Sequence, residues 1–96
     1  MIYAITCFEK LEEVNTWPDF GCTAFMGYYE NFDEADEAVR SNACDINEHV
    51  YNYAAIEAIS PGLYAYPRER WLYKFENDRY VRIEEPKFMG HIANIL

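Results

Sequence analysis

Basic side chains are scarce in this sequence: eight Lys and Arg stand against seventeen Asp and Glu, a formal net charge of −9. That shortage argues against direct nucleic-acid binding, which needs a basic surface to meet the phosphates. Histidine and serine are scarcer still. The histidines are His49 and His91; the serines, Ser41 and Ser60, fall at a helix end and in a turn, not in a nucleophile elbow. The four glycines, Gly21, Gly27, Gly62 and Gly90, are isolated, so no phosphate-cradling loop is visible. Cys7, Cys22 and Cys44 are odd in number and widely spaced. They fit neither a disulfide framework nor a zinc pattern, and they read as reduced thiols. No apolar run approaches the roughly 20 residues of a membrane-spanning helix. The opening residues, MIYAITCFEK, lack the basic segment of a secretory signal. These absences predict a cytoplasmic protein that is not an enzyme, with no membrane contact, no metal centre, no cofactor and no catalytic set.

What the sequence does contain is aromatic residues. Nine Tyr, six Phe and two Trp occur among 96 residues. Large rings build core from few positions, which a chain this short needs if it is to fold as one domain over residues 1–96. The charge is also uneven. Residues 1–60 carry two basic side chains, Lys10 and Arg40, against twelve acidic ones; residues 61–96 carry six basic against five acidic.

Residues 2–8 are apolar on both alternating faces, the pattern of a central strand. Residues 10–21 form a polar connection around Trp17-Pro18, and residues 22–29 read as a second strand. Asn31 with Glu34 has the spacing of a capping box, and Phe32, Ala35, Ala38 and Val39 make an apolar helical stripe. Asp33, Glu34, Asp36 and Glu37 suit the positive end of that helix dipole, and Arg40 its negative end. Residues 43–49 suggest a further turn or short helix. Residues 51–59 read as a strand, followed by a Ser60-Pro61-Gly62-Leu63 turn with glycine where φ must be positive. A short extended piece at 63–66 stops at Pro67. Residues 71–75 and 79–83 make a hairpin across Glu76, Asn77 and Asp78. The apolar tail, Phe88 to Leu96, offers a last strand or an oligomer contact. The order β-β-α-β-β-β predicts an α+β fold, a mostly antiparallel sheet with one helix on one face.

Three constellations could carry chemistry. Cys44 and His49 are the nearest thiol and imidazole, a minimal nucleophile pair. Asp45, Glu48 and His49 would share one face if their stretch were helical, a solvated face or a place for a divalent ion. The hairpin is the third. A turn at 76–78 sets Phe75 opposite Arg79, Tyr73 opposite Val81 and Trp71 opposite Ile83, making these the core face. The other face would then carry Leu72, Lys74, Tyr80 and Arg82, with Arg68 and Arg70 just upstream. Cations beside a tyrosine can grip a phosphate and stack on a base. The same residues can equally form cross-strand ion pairs with Glu69, Glu76 and Asp78.

From Asn31 onward the sequence resembles a family of small uncharacterised proteins encoded by intestinal clostridia-type bacteria and their phages. The resemblance rests on Asn31-Phe32-Asp33-Glu34-Ala35, Val39, Asn42, Asp45-Ile46 and Glu48. It continues through Tyr53-Ala54-Ala55-Ile56-Glu57, Gly62-Leu63-Tyr64, Trp71, Lys74, Tyr80 and Glu84-Glu85-Pro86. It implies an accessory gene of a phage or mobile element, of a kind that counters host immunity.

Two functions of different class follow. One is a homo-oligomeric sponge that sequesters a nucleotide-type signal on Arg68, Arg70, Lys74, Tyr80 and Arg82. The other is an acidic inhibitor that presents Asp33, Glu34, Asp36 and Glu37 to a host defence protein, such as a CRISPR nuclease, in place of nucleic acid.

Overall fold

The strand Ile2–Phe8 (β1) forms because Ala4, Ile5, Cys7 and Phe8 need burial on both of its faces. In the computed structural model, which describes residues 1–62 and 67–96 except for the side chains at 67, 68 and 91, it has that burial. A polar ribbon follows, β2 (Glu12–Val14) and β3 (Trp17–Asp19), then β4 (Thr23–Tyr29) and helix α1 (Phe32–Arg40). After a 3-10 turn at Ala43–Asp45 come β5 (Tyr53–Ile59), β6 (Pro67–Glu76) and β7 (Arg79–Ile83), and a second 3-10 turn spans Lys87–His91. Five strands form one antiparallel sheet in the order β4-β1-β5-β6-β7, and β2 pairs only with β3. The expected α+β class holds; the order differs from the expected β-β-α-β-β-β by the extra pair β2 and β3, which form inside the connection read as polar. That ribbon turns on Asn15 and Thr16, both at positive φ. The extended piece expected at 63–66 lies outside the described residues.

The sheet is covered on both sides, which explains why β1 and β5 carry apolar residues on both of their faces. On one face, Ala35 and Val39 of α1 pack with Ile5, Cys7, Ala54, Ile56, Tyr73 and Tyr80. Phe32 adds a ring contact to Trp71 at 4.4 Å between centroids. On the other face, Met89 packs with Phe8, Ala55 and Leu72, flanked by Ile92 and Ile95. The apolar tail therefore covers its own sheet. It is a 3-10 turn and an irregular end, not the further strand that was one of the two expectations.

One charged residue interrupts that second face among the described residues. Glu57 lies fully buried in β5, the central strand. An isolated carboxylate there would be very costly, so it must be paired and hydrogen-bonded. Arg70 Nε donates to Glu57 Oε2 at 2.9 Å, and the backbone N–H groups of Ile95 and Leu96 donate to the same carboxylate at 2.9–3.1 Å. Arg70 fixes its remaining nitrogens on Glu85 and on the carbonyl of Ala93. Ion pair and tail thus form one unit.

Removing a single partner of a buried pair leaves the other charge stranded, at about 3–5 kcal/mol. Arg70→Ala is accordingly expected to lower the melting temperature by well over ten degrees, at about 4–8 °C per kcal/mol for a domain this small. The neutral pair Glu57→Gln with Arg70→Met keeps an acceptor for the tail and should recover most of that loss in the same thermal melts.

Candidate functional site

Helix α1 starts where its sequence says it should. Asn31 Oδ1 accepts the Glu34 N–H at 3.1 Å and caps the helix. The Glu34 carboxylate does not complete the box and stays exposed. Asp36 points the other way. It accepts the Tyr73 hydroxyl and, at 2.8 Å, Arg40 Nε. Burial, and then the Asp36 carboxylate, push the Tyr73 hydroxyl pKa up, so that it stays a donor.

The segment after α1 is built on left-handed residues. Asn42, Cys44, Asp45, Glu48 and His49 all have φ between +48° and +58°. Such a chain needs an organiser, and that is the buried Asn47. Its backbone N–H donates to Asn42 Oδ1, its amide nitrogen donates to the Tyr51 carbonyl, and its amide oxygen accepts the His49 N–H, all at 2.8–2.9 Å. Tyr80 also donates to the Tyr51 carbonyl, at 2.7 Å, with its oxygen 4.0 Å from Cys7 Sγ. Burial raises the Cys7 thiol to about 11 and, with Cys7 beside it, raises Tyr80 as well.

Between α1 and the β4 edge runs a trench. Its upper part, about 460 Å³, lies among Tyr29, Asp33, Glu34, Glu37, Ala38 and Ala43. A smaller cavity of about 190 Å³ continues from Tyr29, Ala38 and Ala43 down to Ile5, Met26, Gly27 and Ile46. Gly27 has φ +139°, and a Cβ there would meet nothing within 4 Å, so the space beside it is open. The trench has an apolar floor and a carboxylate rim. Among the described residues, Asp33, Glu34 and Glu37 make no salt bridge.

The hairpin expectation fails on register. The loop is Asn77-Asp78 alone, both at positive φ, and it sets Phe75 opposite Tyr80, Tyr73 opposite Arg82 and Lys74 opposite Val81. A slip of one residue moves one whole strand to the other face relative to its partner. Tyr80 is therefore core, 1% exposed and edge-to-face with Phe75, and is no stacking platform. Lys74 and Arg82 are exposed but lie on opposite faces. Arg70 is 8% exposed and committed to Glu57. The side chain of Arg68 lies outside the described residues. The acidic set fares better: Asp33, Glu34 and Glu37 stand together, and only Asp36 is withdrawn, to Tyr73 and Arg40. Asp45, Glu48 and His49 do not share a helical face, because their stretch is left-handed. No group of metal-ligating side chains forms among the described residues. No described helix is long and apolar enough to cross a membrane.

Sequence reasoning missed Glu57, Asn47 and the trench. The only signal for Glu57 was a charge inside an otherwise apolar strand. Comparison with known proteins adds no relatives: no family model, curated protein or solved structure matches this chain.

Asn47→Ala would remove one of the two donors to the Tyr51 carbonyl and the acceptor of the His49 N–H, at about 1 kcal/mol for each bond lost. It should lower the urea midpoint clearly, while Glu13→Gln on the exposed ribbon should not. A pH dependence follows from the buried hydroxyls and thiol. Cys7 is raised from 9.0, and Tyr73 and Tyr80 from 10.0, so above these values the fold holds protons that the unfolded chain has lost. Stability should be fully present below about pH 9 and fall progressively as pH rises past the unfolded values toward the higher folded ones, in denaturant titrations between about pH 8 and pH 11.

Proposed function

We propose that this chain is a non-enzymatic binding protein whose α1–β4 trench receives basic side chains of a protein partner. The observation that carries the reading is the combination of an apolar floor with three carboxylates at the rim that make no salt bridge among the described residues. Lysine and arginine have this divided chemistry, an aliphatic stem that prefers apolar contact and a cationic head that wants carboxylates and water.

The field around the trench supports the same reading. Both cations in the first sixty residues are already taken, Lys10 by Asp19 at 3.1 Å and Arg40 by Asp36 at 2.8 Å. The excess of acid over base there is left to act outward. Such a field speeds association with a basic partner more than it tightens the final complex. A basic nucleic-acid channel in a defence effector, the partner class suggested by the resemblance to phage-encoded proteins, has the complementary sign. A nucleotide, by contrast, has little to hold: of the residues expected to grip it, Tyr80 is buried, Arg70 is committed, and Lys74 and Arg82 face opposite ways.

The test uses arginine-rich peptides, titrated against the protein by calorimetry at several salt concentrations. Binding should weaken steeply above about 0.15 M salt, where screening acts within about 8 Å. Asp33→Asn, Glu34→Gln and Glu37→Gln together should weaken it about tenfold or more, each 1.4 kcal/mol being a factor of ten. Neutralising Glu12, Glu13 and Asp19 on the ribbon should change it little. Equal losses from both sets would mean undirected charge attraction and would overturn the trench. Melting-temperature shifts with cyclic or linear nucleotides are expected to be nil; a clear shift would restore the sponge.

A further inference from the structure

The two outer strands of the sheet differ in how they meet solvent. β7 is guarded in the ordinary way, with Arg79 and Arg82 within its five residues. β4 is seven residues long, has no charge, and pairs on one side only, with β1. Its outward backbone groups have no partner among the described residues. Phe25 and Tyr28 are 53% and 57% exposed on this edge.

The register gives the edge two distinct sides. Phe25 lies opposite Thr6 and Tyr28 opposite Ala4, so both aromatics stand on the tail-covered side of the sheet. Tyr29 lies opposite Tyr3, on the helix side, where the trench begins. A strand added along β4 would send alternate side chains to these two places. One set would lie over Phe25 and Tyr28. The other would enter the trench below Asp33, Glu34 and Glu37.

We infer that β4 is a docking edge that takes an extended segment of a partner protein by strand addition, its side chains alternating between basic and apolar. The inference rests on the basic-partner reading above and specifies how that partner binds. Main-chain hydrogen bonds supply affinity in this mode, and alternate side chains supply selectivity. Charge selects the occupant. A second copy of this chain would bring its own acidic helix and a further charge of −9 to the same edge, and like charges at close range oppose such pairing.

The probe is a seven-residue peptide alternating lysine and valine, matched by a version N-methylated at alternate amides so that one edge cannot donate hydrogen bonds. Titration should show the methylated peptide binding about tenfold or more weakly, since each lost hydrogen bond is worth about 1 kcal/mol and several are lost. Hydrogen exchange should slow at outward β4 amides only with the unmethylated peptide. Phe25→Ser with Tyr28→Ser, both at exposed positions, should weaken the unmethylated peptide several-fold while leaving the melting temperature nearly unchanged. If both peptides bind equally and both lose affinity when Asp33, Glu34 and Glu37 are neutralised, the trench stands and the docking edge is wrong. If neither binds, both are wrong. Concentration-dependent dimerisation with β4 amide protection and no peptide would assign the edge to a second copy and overturn the inference.

Discussion

Glu57 governs the architecture. A carboxylate in the central strand of a covered sheet is tolerable only if every lone pair finds a donor and its charge finds a cation. The chain provides one cation from the neighbouring strand and two backbone donors from its last residues, Ile95 and Leu96. The tail is therefore fixed in direction as well as attracted by apolar contact. Met89, Ile92 and Ile95 would sit on Phe8, Ala55 and Leu72 in many arrangements, but only one brings the Ile95 and Leu96 amides onto Glu57. Buried ion pairs add little net stability over apolar replacements. Here the pair selects a single placement of the tail, and the sheet gains its second cover as a result.

The same economy of cations shapes the surface. Arg70, Arg40 and Lys10 are all closed into internal pairs. The exposed pairs contribute about 0–1 kcal/mol to stability. Their larger effect is electrostatic: Lys10, Arg40 and Arg70 are held by other acids, and among the described residues Asp33, Glu34 and Glu37 make no ion pair. Tyr73 has a similar role on the carboxylate side, turning Asp36 inward and leaving the other three acids as the rim.

Much of the fold was legible because it depends on local pattern. The two-faced apolar run in β1 announced a central strand, and Asn31 with the Phe32, Ala35, Val39 stripe announced the helix; the second cover of the sheet was not foreseen. The hairpin was legible as a hairpin but not in register, because Glu76 can serve as the last strand residue or the first loop residue. The left-handed conformation of Asn77 and Asp78 decides it, and side-chain type alone does not enforce that choice. Arg70 read as an available cation because its partner is distant in sequence. Tyr80 read as a ligand platform because the assumed three-residue turn put it on the face away from Tyr73 and Phe75; its hydroxyl is instead absorbed by the Tyr51 carbonyl, at the end of the loop that Asn47 organises. Of the candidate site, the acids were visible and the floor was not, since Ala38, Ala43 and Met26 meet only through the tertiary fold.

The irregularity in β4 has its own consequence. Between Ile5 and Thr6 the pairing steps past Met26, so that Phe25 and Tyr28 share a side although three positions apart. A uniform strand edge has translational degeneracy: a neighbour can slide along it by two residues and find an equivalent fit. The bulge removes that degeneracy, because the phase of the side chains before it does not match the phase after it. An incoming strand has one favoured alignment, and a stack of identical strands, which requires the same phase along its whole length, finds no template. The edge is thus selective in register, and it is poorly suited to seeding fibrils despite its aromatic, uncharged sequence.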